Sequence, residues 1–155
     1  MNDRVLHTPD GVRDIYGDEI KKRRKVMNWL SHVLELYNYH AIQTPTFEYF
    51  DIFGKDKGSA PSHEMYKFFD RDNNTLVLRP DITPSIARCV AKYYENEDLP
   101  IRLCYEGSTF INKISHQGKL CETTQLGGEL VNDDSSAADA EILATVVDCF
   151  RAASI

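Results

Sequence analysis

Between Asp18 and Tyr37 apolar residues recur at steps of three and four, placing Ile20, Met27, Leu30, Val33, Leu34 and Tyr37 on one face. That spacing predicts an amphipathic helix. Asp18 and Glu19 suit its first turn, where the helix dipole favours negative charge, and Asn38 suits a left-handed stop. The next run, Ala41 to Phe50, reads as a short strand ended or bent at Pro45, because proline has no N–H to give a strand ladder. Gly54 to Ser62 is rich in turn formers and lacks apolar periodicity, which predicts a mobile surface loop.

Two β-prone runs then flank Asp72, Asn73 and Asn74, predicting an antiparallel hairpin whose second strand ends at Pro80. Thr83 and Pro84 open a second helical pattern, with Ile86, Val90 and Tyr93 or Tyr94 along one side. Ile101 to Ile111 and Leu120 to Val131 are further strand candidates, joined by a polar loop, and are expected to pair as a long hairpin. Ser136 with Asp139 resembles a capping box, and Ile142, Leu143, Val146, Val147 and Phe150 follow as an apolar stripe. This order lacks the strict alternation of a parallel doubly wound sheet. An α+β fold, an antiparallel sheet flanked by helices, fits better.

The chain has 155 residues, enough for one hydrophobic core, and the domain expectation is one compact unit over residues 1–155. Its last helix runs into the chain end, so that unit is expected to be part of a longer protein. The net charge of -6 gives no overall positive field for a phosphate backbone or an anionic membrane. The basic run Lys21, Lys22, Arg23, Arg24, Lys25 lies within the first helical pattern and reads as a solvated face. No stretch is long and apolar enough for a membrane span, and the N-terminus lacks a signal peptide's apolar region, so a cytoplasmic location without membrane attachment is expected. Cys89, Cys104, Cys121 and Cys149 are widely scattered and no histidine stands at a zinc-ligand spacing; reduced structural thiols, no metal and no cofactor are expected.

Polar groups concentrate in three stretches: Arg79 to Thr83, Arg102 to Glu106, and Gln125 to Glu129. Spacing of four along a strand puts Gln125 and Glu129 on one face with Gly127 between them, leaving room for something to lie over the sheet. Such an amide and carboxylate, near the Asp81 carboxylate, suit an ammonium or imidazole group. On periodicity alone, solvent-facing strand residues are the better reading of both. Asp81 beside Thr83 likewise reads as a helix cap or as a ligand.

Together, GVRDIYGDE, YNYHAIQTPTFE, MYKFFDRDNNTLVLRPDITP, CYEGSTF and TTQLGGELV resemble, in order, the N-terminal half of a histidyl-tRNA synthetase core of class II. The resemblance runs from about Thr8 to the final helix, so residues 1–155 would be the N-terminal portion of that core. It implies that the Pro45 segment belongs to the motif 1 dimer interface and that the chain self-associates there. It also implies that Asp81, Thr83, Gln125 and Glu129 line a histidine-like pocket. Where the synthetase's second motif reads Phe-Arg-Tyr-Glu, this chain is matched at Leu103-Cys104-Tyr105-Glu106, and a second basic position falls at Cys121. A thiol has neither the charge nor the forked donors of a guanidinium, and losing one such donor typically costs about 100- to 1,000-fold in rate.

A histidine-shaped pocket without those arginines resembles the regulatory subunits of ATP phosphoribosyltransferase, carried here by EMYKFFDR, NTLVLRPDITPSIARCVAKYY and LPIRLCYEG. That resemblance implies no catalytic residues. Its implied role is in the first step of histidine biosynthesis and its feedback by histidine, with a short-form catalytic subunit as partner, L-histidine as ligand and no tRNA. The competing expectation is an active histidyl-tRNA synthetase, against which Cys104 and the acidic balance argue. A scaffold with a vestigial pocket is the third.

Overall fold

The computed structural model describes residues 3–54, 60–113 and 120–154. Its elements are α1 (Gly17–Leu36), β1 (His40–Ala41), β2 (Phe47–Tyr49), α2 (Phe50–Phe53), β3 (Lys67–Phe69), β4 (Thr75–Leu78), α3 (Thr83–Tyr93), β5 (Ile101–Phe110), β6 (Glu122–Val131) and α4 (Ser136–Ala152). The strands form two three-stranded sheets, ordered β1-β5-β6 and β2-β4-β3. β4 is antiparallel to both its neighbours, whereas β1 runs parallel to β5 with His40 opposite Leu103. The expected α+β architecture is present, but the single strand expected around Pro45 is two. β1 stops at Ala41 in one sheet and β2 starts at Phe47 in the other. Proline interrupts the ladder, so the chain can leave one sheet there and enter another.

These elements form two compact units. The first holds Met1–Asp14, Thr44–Lys92 and Gly107–Gln125; the second holds Ile15–Gln43, Tyr93–Glu106 and Leu126–Ile155, so β5 and β6 contribute to both.

In the first unit the core is Phe53, Ala60, Met65 and the wholly buried Val77, with Phe50 and Ile52 against them. The β3–β4 hairpin turns where the sequence predicts. The Asp70 carboxylate accepts from the backbone N–H groups of Asp72 (2.9 Å) and Asn74 (2.8 Å) and from Asn74 Nδ2 (2.9 Å), and Asn73 takes a left-handed φ of 62°. A short acceptor side chain that folds back on its own turn, followed by a residue tolerant of positive φ, closes a hairpin without a glycine. These bonds hold the Asp70 carboxyl below its ordinary range. Ala60, near the end of the predicted surface loop, is buried in the core; residues 55–59 of that loop lie outside the described residues.

In the second unit α1 packs on α4, and Leu34, Tyr39 and Cys104 form a core with Tyr37, Leu126 and Ile142. α1 stops as predicted, Asn38 adopting φ 62° and donating to Glu35 O at 2.9 Å. Two expectations for α4 need correction. Its cap is Ser135 rather than Ser136, Ser135 Oγ accepting from the Ala138 N–H at 3.2 Å. Of its predicted stripe, only Ile142 reaches this core, while Leu143, Val146, Val147 and Phe150 are 46–67% exposed. Periodicity identifies an apolar face but not the surface that covers it.

Candidate ligand-binding site

β5 and β6 pair as the long hairpin the sequence predicts. The Ile111 N–H donates to Cys121 O at 2.8 Å, the Thr109 and Thr123 hydroxyls lie 3.0 Å apart, and Tyr105 covers Gly127. Partners rise along one strand and fall along the other, so the pairing is antiparallel. The loop tip, 114–119, lies outside the described residues.

On β6, Gln125 and Glu129 are both half-buried, as is the rest of the strand from Thr124 to Val131. Gln125 Oε1 is buried and has no hydrogen-bond partner, a group whose desolvation leaves it suited to a donor from outside. Glu129 Oε1 accepts from the Tyr105 hydroxyl at 3.3 Å. The room expected over Gly127 is filled from within the chain: a β-carbon there would lie 2.6 Å from Tyr105 Cζ. Tyr105 was missed as a site residue because only the register of the hairpin puts it opposite Gly127.

Asp81 and Thr83 stand in the first unit, at the entry to α3. Asp81 Oδ1 accepts from the Ile82 N–H at 2.7 Å, so one carboxylate oxygen has the local, cap-like role and the other points elsewhere. Ile82 is buried at 1% exposure and pins the turn. Asp81, Thr83 and Gln125 thus fall within one compact unit and Glu129 within the other, on the strand the two share.

The two cysteines assigned to lost arginines are differently placed. Cys104 is buried with Leu34 and Tyr39, and Gly128 packs on those same two residues, whereas Tyr105, Gly127 and Glu129 occupy the opposite face. A side chain at Cys104 therefore points away from the face that holds Gly127 and Glu129. Burial raises the Cys104 thiol above its ordinary range, with Glu35 adding to it, so the group stays protonated.

Cys121 is enclosed by the N-terminal turn: its N–H donates to Gly11 O at 2.6 Å, and a β-carbon on Gly11, at φ 81°, would collide with its sulfur. The Tyr66 hydroxyl bonds to Cys121, and this contact raises the tyrosine's pKa. Among the described residues no group of three or more His, Cys, Asp or Glu is arranged to hold a metal ion. No described helix is long and apolar enough to cross a membrane.

The family model for histidyl-tRNA synthetase matches residues 11–155. The chain belongs to the histidyl-tRNA synthetase family. Within it, the ATP phosphoribosyltransferase regulatory subunit of Ruminiclostridium cellulolyticum is 38% identical over 150 residues, 97% of this chain and 36% of that protein. The histidine–tRNA ligase of Methanococcus vannielii is 32% identical over 144 residues, 93% of this chain and 34% of the ligase. A solved ATP phosphoribosyltransferase regulatory subunit/histidyl-tRNA synthetase from Bacillus halodurans superposes with a TM-score of 0.86 at 33% identity, covering 96% of this chain and 38% of that one. The fold is therefore the class II, histidyl-tRNA synthetase-like fold, and the chain spans between a third and two fifths of the length of these relatives.

Proposed function

We propose that this member of the synthetase family is a non-catalytic regulatory subunit of ATP phosphoribosyltransferase, corresponding to the N-terminal portion of the class II core in its longer relatives. It partners a short-form catalytic subunit, which transfers the phosphoribosyl group of phosphoribosyl pyrophosphate to ATP with release of pyrophosphate in the first step of histidine biosynthesis, and it makes that subunit responsive to histidine. The observation that carries the reading is the mismatch between the two halves of an amino-acid-activating site. The polar set for an amino acid, Asp81, Thr83, Gln125 and Glu129, is retained, with Gln125 Oε1 buried and lacking a donor. At Cys121, where the synthetase motif it resembles has a basic side chain, a thiol offers no charge to set against the developing negative charge of adenylation.

The relatives named as regulatory subunits support the same reading. The ligand is L-histidine, its ammonium or imidazole group taking a charge-assisted bond to Asp81 and donating to the buried Gln125 Oε1. Self-association runs through the segment after Pro45, where Phe47 and Tyr49 of β2 are 51% and 55% exposed and Phe47 meets Phe68 edge-on at 5.7 Å. Charge argues against tRNA as a partner, and the protein acts in the cytoplasm.

The test is the rate of a short-form catalytic subunit with and without this chain across a histidine titration. Stimulation that histidine reverses is the expected result. No stimulation, together with histidine-dependent ATP–pyrophosphate exchange by the chain itself, would establish a synthetase instead.

A further inference from the structure

Arg79 is tied to two other stretches of the first unit. Its Nε donates to Ser108 O at 2.8 Å, and its Nη1 donates to Thr44 O at 2.9 Å, with Pro45 O at 3.2 Å and Thr44 Oγ1 at 3.3 Å. Its backbone N–H donates to Thr46 O and its carbonyl accepts from the Phe110 N–H, each at 3.0 Å. The residue is 5% exposed. A β-carbon on Gly107 would collide with the guanidinium, lying 3.1 Å from Cζ, so the glycine is what lets β5 pass beneath it.

Among the described residues no carboxylate is bonded to this guanidinium: Glu48, whose charge acts on it, is held by Arg88 through Oε1 at 2.7 Å. A buried cation solvated by backbone carbonyls keeps its bonds only while those carbonyls keep their places. The stretch Thr44–Thr46, the end of β4 and the Ser108–Phe110 part of β5 are therefore fixed as one body. Two residues beyond Arg79 stands Asp81, and one residue beyond Thr46 begins β2 with its exposed Phe47 and Tyr49.

We infer that Arg79 is a positioning residue that joins the Asp81–Thr83 turn to the entry of β2, so that occupation of the turn is felt at the aromatic face of β2. The idea deepens the function proposed above and rests on its assignment of Asp81 and Thr83 to the ligand pocket. Coupling between sites of this kind typically amounts to about 5- to 150-fold in affinity and requires an element that moves as one piece. The Arg79 junction is such an element.

Peptide-resolved hydrogen exchange with L-histidine as probe tests it, on the unmodified chain, on Arg79→Lys, and on Gly107→Ala, which displaces the guanidinium without removing its charge. In the unmodified chain, histidine should slow exchange in both Arg79–Thr83 and Thr44–Tyr49 by about 5-fold or more. In either variant the slowing should be confined to Arg79–Thr83. A merely structural arginine would change basal exchange and melting but not this split. Slowing confined to Arg79–Thr83 in the unmodified chain, or slowing of both stretches in the variants, would overturn the inference.

If calorimetry finds no histidine binding to the unmodified chain, the pocket assignment fails, and basal exchange decides the junction. Both stretches loosening together in Arg79→Lys supports it; one loosening without the other overturns it.

Discussion

The first unit buries Arg79 and the Glu48 carboxylate, while the second keeps both members of its arginine–carboxylate pair partly exposed. Arg79 is enclosed and solvated by neutral carbonyls, and burial lowers its pKa with Glu48 opposing; close by, the Glu48 carboxylate has a side chain only 7% exposed and is matched by Arg88. In the second unit Arg102 clasps Glu141 through two bonds of 2.6 and 2.7 Å, with both side chains about a quarter exposed, and that clasp raises the arginine's pKa. The same side chain thus does two jobs. In one it fixes backbone at the ends of three strands through neutral carbonyls, and in the other it ties strand to helix by a partly exposed ion pair. The first arrangement depends on position and the second on charge.

The sharpest way to break this contrast is to strand a buried carboxylate. Arg88→Met should cost about 3 to 5 kcal/mol in urea unfolding, because Glu48 is left buried without its partner; a cost under 1 kcal/mol would mean that water reaches Glu48 freely. Arg79→Met comes next, at about 2 to 4 kcal/mol. The cation leaves with the side chain, so what remains unsatisfied is the neutral carbonyls of Thr44, Pro45 and Ser108.

In the second unit Glu141→Gln should cost only about 1 kcal/mol, as expected for a half-exposed pair. Its pH dependence carries a sign. Arg102's hydrogen bonds hold the Glu141 carboxyl below its ordinary range, desolvation opposing, so the folded-state pKa lies under the unfolded value of about 4.3. The stabilisation is present above that unfolded value and is lost as pH falls through the folded one. Unfolding followed from about pH 6 down to about pH 3 should show a steeper loss for the unmodified chain than for Glu141→Gln; parallel curves would deny the pair any part in acid stability. The smallest effect is expected at Leu143→Lys on the exposed side of α4, within about 0.5 kcal/mol. A larger loss would show that this face is covered in solution.

Residue patterns made much of the fold legible. α1 and its Asn38 stop, the Asp70–Asn74 turn and the β5–β6 hairpin follow from local rules, which depend on residues within one turn of one another. The candidate site was only partly legible. Its polar members could be named from their spacing on β6 and from the family they resemble. The direction of the Cys104 side chain was not legible, because a one-residue change of phase sends a side chain to the opposite face and no composition reveals it. Tyr105 over Gly127 and Arg79 over Gly107 were invisible for a related reason: both depend on which residues a hairpin of unknown register brings together.

The amino-acid sequence by itself determined the element types and the family, since periodicity, turn chemistry and ordered motifs are written along the chain. Tertiary structure alone decided that the Pro45 region feeds two sheets, that most of the α4 stripe faces outward, that Tyr105 occupies the glycine's space, and that a buried arginine joins three strand ends. Those are contacts between residues 22 to 35 positions apart in the chain or more. They are set by strand register and by what packing leaves room for, neither of which a local pattern encodes.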